Sequence, residues 1–265
     1  MNVIISTFKK HWLKIGIWLL IILPVGSFLI VSAFILAYMF WPRAFEQIDA
    51  PDFGTSASHV ALMAHGLRDH PTAPMNSLHA AYEQAVPGSR AFNLDWSPYA
   101  QNSLTCATNG KRIGERIGRE LAANPKIQSL HLVAHSCGAF VIYGACQAFK
   151  RVNKTATVQT TYLDPVSVYG IWWNYGLHHF GGCADYSEAY IDTEDGVPGS
   201  NELIPQTHTY DVTAARKPTG QQTQTHLWPI EYYQQLLTNG RAPMVWKDSA
   251  VEENKPAGVL EVVND

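Results

Sequence analysis

A run of 27 uncharged, mostly apolar residues from Ile15 to Trp41 restricts what the first part of this chain can form. As one straight helix the run is about 40 Å long, against roughly 30 Å of membrane hydrocarbon, and a tilt or a kink at Pro24 takes up the difference. The competing interpretation, a cleaved signal peptide, has an apolar stretch of about 7–15 residues followed by small residues at the cleavage site. This run is longer and ends in bulky side chains, so it predicts one uncleaved membrane-spanning helix.

The charges on either side of the apolar run predict its orientation. Lys9, Lys10 and Lys14 precede it, and the acidic residues Glu46 and Asp49 follow it. Because basic flanks stay in the cytoplasm, we expect a cytoplasmic N-terminus and a domain outside the membrane. The expected location is a bacterial inner membrane with the domain in the periplasm.

Charge and composition exclude several kinds of partner. The formal net charge is -3, and three of the basic side chains precede the apolar run, so the rest of the chain is more acidic still. Such a surface repels phosphate backbones, which argues against nucleic-acid binding. The sequence has no metal-ligand cluster and no glycine-rich phosphate loop, so we expect no cofactor and no metal.

Beyond the apolar run, short strand-like runs alternate with helical stretches. This alternation is typical of an α/β fold in which helices cover a mostly parallel sheet. The predicted strands are His59–Ala64, Arg90–Asp95, Ser129–Ala134, Val158–Leu163, Ala189–Asp192 and His208–Val212; the predicted helices are Asn109–Ala123, Gly138–Phe149 and Leu227–Leu237. We divide the chain into an anchor (1–42), a linker (43–57), an α/β domain (58–240) and a tail (241–265).

Ser136 lies at the junction between an apolar strand and an apolar helix. A nucleophilic serine in a sharp strand-to-helix turn needs small neighbours two positions away on each side, and Ala134 and Gly138 meet that need. A serine that merely caps the following helix is the structural alternative. The strand, turn and helix together predict that Ser136 is a nucleophile.

A serine nucleophile needs donors for the oxyanion that forms on its substrate. The first strand ends at Ala64-His65-Gly66-Leu67, and the backbone N–H of Leu67 is expected to join that of Cys137 in an oxyanion hole. His65, in the same loop, is a candidate substrate-binding residue.

The serine also needs a base and an acid that orients the base. Asp164 follows the strand after the nucleophile helix and is the predicted acid, with Asp192 and Asp195 as the next candidates. His226 lies between the last predicted strand and the last helix and is the predicted base. His208 lies inside a strand, where a structural role is expected.

At these residues the chain resembles the lipase and esterase branch of the α/β-hydrolase family. The resemblance rests on four segments: Ser129–Gly138, Tyr162–Pro165, Asn93–Trp96 and His65–Leu67. It implies Ser136 as nucleophile, Asp164 as acid and His226 as base, with Leu67 and Cys137 as oxyanion donors. The activity implied is hydrolysis of acyl esters or lipids at a membrane. An amidase or peptidase with the same triad, and an inactive binding protein of the envelope, are the alternatives; the oligomeric state stays open.

An aromatic segment follows the predicted acid and carries Trp172, Trp173 and Phe180 among several glycines. It is predicted either to form a lid or acyl-binding wall, with Trp172 and Trp173 as candidate substrate contacts, or to pack in the core.

The four cysteines allow several states. Cys137 and Cys146 lie nine positions apart on one predicted helix and face opposite sides, which excludes a bond between them. Cys106 and Cys183 are expected either to pair in an extracytoplasmic domain or to stay unpaired.

Overall fold

The computed structural model describes residues 2–49, 52, 57–71, 74–216, 224–246 and 257–264, with side chains from Gly16 onward. Contacts divide the chain into two compact units, Met1–Pro42 and Arg43–Asp265.

The first unit is one helix, α1 (Asn2–Phe40), and its segment Gly16–Phe40 is long and apolar enough to cross a membrane. Pro24 lies inside the helix without ending it. Most of the apolar side chains in this segment are exposed; Phe28, for example, is 71% exposed. Exposure of this kind suits a hydrocarbon environment better than water.

The second unit is built on one sheet of seven strands, all parallel, in the order β2-β1-β3-β4-β5-β6-β7. The predicted α/β fold class is therefore confirmed. The strands are β1 (His59–Ala64), β2 (Arg90–Leu94), β3 (Ser129–His135), β4 (Thr157–Leu163), β5 (Tyr186–Ile191), β6 (His208–Asp211) and β7 (Leu260–Val262); the further helices are α2 (Met75–Ala85), α3 (Cys106–Ala122), α4 (Ala139–Val152), α5 (Tyr175–His179) and α6 (Trp228–Thr238).

Burial on both faces explains why the central strands are apolar throughout. Every residue of β3 is buried. Leu130 and Leu132 point into a core that includes side chains of α3 and α4, while Val133 points into a second core that includes side chains of α2 and α6. Such covering of both faces is the usual arrangement of parallel sheets.

Glycines bring α3 and α4 into close contact. A Cβ on Gly114 would lie 1.9 Å from the carbonyl oxygen of Val141, and a Cβ on Gly144 would lie 2.2 Å from that of Lys111. These distances leave no room for a side chain, so the two backbones meet directly. Helix α4 is thereby held firmly behind the turn that begins it.

Parts of the segments assigned to a linker and a tail belong to the domain. Arg43 donates to the Asn109 side chain at 3.0 Å, and Arg116 donates to the carbonyl oxygens of Phe45 and Ile48 at 2.6 and 2.9 Å. The Ile48 side chain is 3% exposed. The tail supplies β7, which pairs with β6. Residues 50, 51, 53–56 and 247–256 lie outside the described residues.

Both disulfides differ from the expected pairing. Cys106 bonds to Cys137, and Cys146 bonds to Cys183. The sequence-based pairing of Cys106 with Cys183 was wrong because α3 begins beside the turn that follows β3, which separation along the chain does not reveal. Cys137 and Cys146 do not bond to each other, as expected.

Candidate active site

The residues that could take part in a reaction lie together at the carboxyl edge of the sheet. From β1 the chain goes to β2 on one side, and from β3 onward it builds the sheet on the other side. Ligands of open α/β sheets bind in the crevice at such a reversal, outside the carboxyl ends of the strands. The residues that follow β1, β3, β4, β5 and β6 at this edge are Gly66, Ser136, Asp164, Asp195 and His226.

Ser136 occupies a tight turn between β3 and α4. Its φ of 54° lies in the left-handed region, which a non-glycine residue adopts only when its surroundings hold it there. A Cβ at Gly138 would lie 2.5 Å from the carbonyl oxygens of both Ala64 and His65, so the turn packs directly on the end of β1. The predicted need for a small residue two positions after the serine is confirmed.

The loop after β1 lies against Ser136. A Cβ at Gly66 would lie 2.9 Å from the Cβ of Ser136 and 3.4 Å from its Oγ. Leu67 follows directly and is partly buried against the core. The position suits backbone donors next to the serine hydroxyl.

His65 has a role other than the substrate contact expected from the sequence. Its side chain is fully buried, Nδ1–H donates to the carbonyl of Gly66 at 3.0 Å, and Nε2 accepts from the N–H of Trp96 at 3.4 Å. The Trp96 indole also donates to the carbonyl of His65 at 3.0 Å. His65 therefore holds the Gly66 loop, and burial lowers the pKa of its imidazole, which favours the neutral form.

His226 pairs with two carboxylates. Its Nδ1 lies 2.8 Å from Oδ2 of Asp195 and 3.5 Å from Oδ2 of Asp164. Asp164 follows β4 as predicted and is fully buried; Asp195, one of the two further acid candidates, is 6% exposed. Asp192, the other candidate, pairs instead with Arg216 at 2.6 Å. His208, on β6, stacks against Tyr186.

Burial and ion pairing shift the pKa values of these three side chains in opposite directions. Burial raises the pKa of Asp164 to about 7, against the nearby His226 side chain and the N–H of Asp192, which both favour the Asp164 anion. Burial also works against the Asp195 anion, but hydrogen bonds from Ser200 and His226, and the charge of His226, outweigh it and lower its pKa. Burial opposes protonation of His226, yet the two carboxylates together raise its pKa.

His135 is a site residue that motif reasoning missed. Its Nε2–H donates to the backbone carbonyl of His226 at 2.8 Å, and the two rings lie 4.6 Å apart. Burial lowers the pKa of His135 to about 3, so it remains neutral. Its position directly before Ser136 was visible in the sequence, but its contact with a residue 91 positions later was not.

Asp164, Asp195 and His226 also have the spacing of a cation site, since their ligand atoms lie within 4.8 Å of one another. Two of these ligand atoms, His226 Nδ1 and Asp195 Oδ2, already form a hydrogen bond with each other. The arrangement fits an oriented histidine at least as well as a metal ligand set.

The aromatic segment divides into buried and exposed parts. Phe180 is fully buried and stacks on Tyr162, whereas Trp172 and Trp173 are 53% and 64% exposed. Backbone hydrogen bonds between Tyr169 and Trp172, at 2.9 and 3.0 Å, close a small hairpin that presents these indoles. Core packing is therefore correct for Phe180 and wrong for the two tryptophans.

Comparison with known proteins gives similarity in structure without similarity in sequence. No family model and no curated protein matches the sequence. A protein of Xanthomonas campestris pv. campestris assigned to the α/β hydrolase superfamily is 13% identical, with a TM-score of 0.44 over 72% of this chain and 99% of its own. Aspergillus fumigatus lipase B is 11% identical, with a TM-score of 0.47 over 80% of this chain, which spans 60% of the lipase. An acetyl xylan esterase is 12% identical, with a TM-score of 0.36 over 68% of this chain and 95% of its own.

The geometry of this chain itself identifies its fold. All strands are parallel and their order reverses once, at the crevice beside Ser136. The serine occupies a strained turn between strand and helix, and His226 comes from the connection between β6 and α6. These three features together give the chain the architecture of the α/β-hydrolase fold.

Proposed function

We propose that this protein is a serine hydrolase that cleaves acyl esters through an acyl-enzyme, with Ser136 as nucleophile and His226 as base. The observation that carries the proposal is the hydrogen bond from His226 Nδ1 to the buried carboxylate of Asp195, at the same sheet edge as Ser136. A histidine fixed through Nδ1 has Nε2 free to accept a proton, which is the requirement for activating a serine.

In the first half-reaction, Ser136 Oγ attacks the ester carbonyl carbon while its proton passes to His226 Nε2. The carbonyl oxygen becomes an oxyanion that the N–H groups of Leu67 and Cys137 stabilise. Collapse of this intermediate breaks the bond to the leaving alkoxide, which takes the proton from His226. Removal of one oxyanion donor typically lowers kcat by about 10²–10³-fold.

In the second half-reaction, water attacks the acyl group on Ser136 after losing a proton to His226. Return of that proton to Ser136 Oγ releases the carboxylic acid and restores the enzyme. Each half-reaction begins with neutral His226 accepting a proton and ends with His226 giving that proton up. The carboxylates at Nδ1 stabilise the imidazolium that forms between steps.

Acyl esters of lipids are the proposed substrate class, and two features support it. The exposed indoles of Trp172 and Trp173 come after β4 and Asp164 in the chain and offer an apolar surface for an acyl chain. The helix Gly16–Phe40 is apolar enough to anchor the chain in a membrane, where lipid substrates are concentrated.

A fluorophosphonate probe tests the nucleophile in the full-length chain in detergent. We expect covalent labelling at Ser136, and none in Ser136→Ala. His226→Ala should lose about as much p-nitrophenyl ester turnover as Ser136→Ala, on the order of 10⁶-fold, because the two residues act as a unit. His208→Ala is the matched control and should keep turnover.

Absence of labelling with a folded wild-type chain would contradict the proposal and favour an inactive binding protein. Faster cleavage of anilides than of matched esters would assign the same site to an amidase. Equal loss in the His208 and His226 variants would mean that the base has been misidentified.

A further inference from the structure

The second carboxylate at His226 is more than a serine–histidine pair requires. One neutral imidazole has one Nδ1–H to donate, and at 2.8 Å Asp195 accepts it. Asp164 Oδ2 lies 3.5 Å from the same nitrogen and is completely buried. A second buried negative charge at this place is costly unless a proton neutralises it.

The two carboxyl groups have different hydrogen-bond partners. Asp195 accepts from the hydroxyl of Ser200 as well as from His226, and both contacts favour its anion. Asp164 Oδ1 accepts the backbone N–H of Asp192 at 2.8 Å, whereas Oδ2 has no hydrogen-bond partner among the described residues. A proton on Oδ2 would turn this orphaned acceptor into a donor that faces the other two side chains.

We propose that His226 is oriented by a pair of acids that share one negative charge. Asp195 is the anion and Asp164 is protonated, and Asp164 becomes the anion when the Asp195 carboxylate is removed. This assignment rests on the proposed function, and it makes both aspartates positioning residues, because neither touches the substrate. It departs from the sequence-based expectation that Asp164 alone is the acid.

The groups around His226 support this division of charge. His135, packed on the ring from β3, is neutral because burial lowers its pKa to about 3. Asp192 is neutralised by Arg216, which also pairs with Glu194. The charge that His226 meets therefore comes from Asp195 and, once it ionises, from Asp164, whose pKa burial raises to about 7.

The pair has a defined effect on the pH profile. When Asp164 ionises, its negative charge raises the pKa of His226 and keeps the base protonated to higher pH. Asp164→Asn removes that charge but keeps the shape and the acceptor for the Asp192 N–H. We expect the acid limb of kcat/KM to move to lower pH in this variant, with plateau activity within about tenfold of wild type.

Asparagine variants test the exchange of roles. Asp195→Asn should lose about 10–100-fold in kcat/KM, because Asp164 becomes the anionic partner of His226. The double variant should lose about 10⁴-fold, the usual cost of removing the triad carboxylate, which is at least about tenfold more than the product of the single losses. Asp185→Asn removes a surface charge that pairs with Lys150 and is the matched control.

Infrared spectroscopy gives a readout that does not depend on activity. Wild type should show a protonated carboxyl band near pH 6 that fades by pH 8 and is missing from Asp164→Asn. A 10⁴-fold loss in Asp164→Asn with little change in Asp195→Asn would assign the acid to Asp164 alone and overturn the pair. An unshifted acid limb, or additive losses, would overturn it as well. An inactive, unlabelled wild type would instead contradict the proposed function, while the infrared band would still report on the shared proton.

Discussion

At the residue scale, backbone strain coincides with the candidate site. Among the described residues, the non-glycine residues with positive φ are Arg68, Ser136 and Asp164. Ser136 is held by the N–H of Val166, which donates to its carbonyl at 3.2 Å, and the N–H of Asp164 donates to Tyr190 at 2.9 Å. Backbone contacts with the neighbouring chain therefore maintain the strained conformations, and exchange of the side chains should leave the turns in place.

The raised pKa of Asp164 predicts a stability that depends on pH. Its pKa is about 7 in the folded chain and about 3.9 when unfolded, so the protonated form favours folding. The stabilisation is complete below about pH 4 and is lost as the pH rises through 7. Asp164→Asn cannot ionise, so its free energy of unfolding should exceed that of wild type at pH 8, by up to about 4 kcal/mol, and approach it at pH 4. Urea unfolding at both pH values measures the difference; equal gaps at both would mean that Asp164 has no raised pKa.

At the element scale, one disulfide joins the nucleophile turn to α3. Cys137 follows Ser136 directly, and its bond to Cys106 links the turn to the first residue of that helix. We expect Cys106→Ser to lower stability by about 3–4 kcal/mol in the chain-entropy model. It should also lower kcat, because the proposed oxyanion donor is the N–H of Cys137. Unfolding curves and ester kinetics test both effects.

The second disulfide is a natural control for the first. It joins Cys146, ten positions beyond Ser136, to Cys183, and it closes a loop of similar length. Cys183→Ser should therefore cost about as much stability, again roughly 3–4 kcal/mol, while kcat stays near that of wild type. A fall in kcat for both variants, or for neither, would remove the special role of the Cys106–Cys137 bond.

The exposed indoles of Trp172 and Trp173 predict an effect on substrate choice rather than on stability. Alanine at both positions should reduce kcat/KM for long-chain esters more than for acetate esters, because each buried methylene of a chain is worth about 0.8 kcal/mol. The melting temperature should hardly change, since both side chains are more than half exposed.

Phe180→Ala is the contrasting variant for the two tryptophans. Phe180 is fully buried, so its loss should cost about 3–5 kcal/mol and affect all substrates alike. If the double tryptophan variant loses activity equally on every chain length, the acyl-binding role is refuted.

At the scale of the whole molecule, the boundary between the two units sets where the chain can be cut. Deletion of residues 1–42 should leave a folded domain that hydrolyses soluble esters. Deletion of residues 1–49 also removes the buried side chain of Ile48, which contributes about 1.5–3 kcal/mol of stability, and the carbonyl oxygens that Arg116 binds. This shorter variant should therefore be less stable. A comparison of melting temperatures tests this; equal stability would mean that residues 43–49 contribute nothing to the fold.

The three lysines before the apolar segment predict the orientation of the anchored chain. We expect an alkaline phosphatase fused after Asp265 to be active and a cytoplasmic-type reporter at the same place to be inactive. Activity of the cytoplasmic-type reporter alone would reverse the orientation. The disulfides are consistent with an extracytoplasmic domain, since an oxidising compartment preserves them.

The sequence by itself determined the local features of this protein. The apolar length of Gly16–Phe40 dictates a helix, the runs at β1 and β3 dictate buried strands, and the small residues around Ser136 permit a sharp turn. These features depend on neighbours along the chain, so periodicity and steric rules are enough to predict them. Helix α2 and strand β7 were missed because their signals are weak until the rest of the domain packs against them.

Only the tertiary structure decided which distant groups meet. The pairing of Cys106 with Cys137, the contact of His135 with His226 and the place of Asp195 at Nδ1 join residues 31 to 91 positions apart. Residue type and spacing made Asp164 the leading acid and left Asp195 as one of two further candidates. The loop after β5 folds back over the sheet edge and brings Asp195 closer to the histidine than Asp164. The sequence names the candidate groups, but distance and burial, which arise only on folding, set their charges and partners.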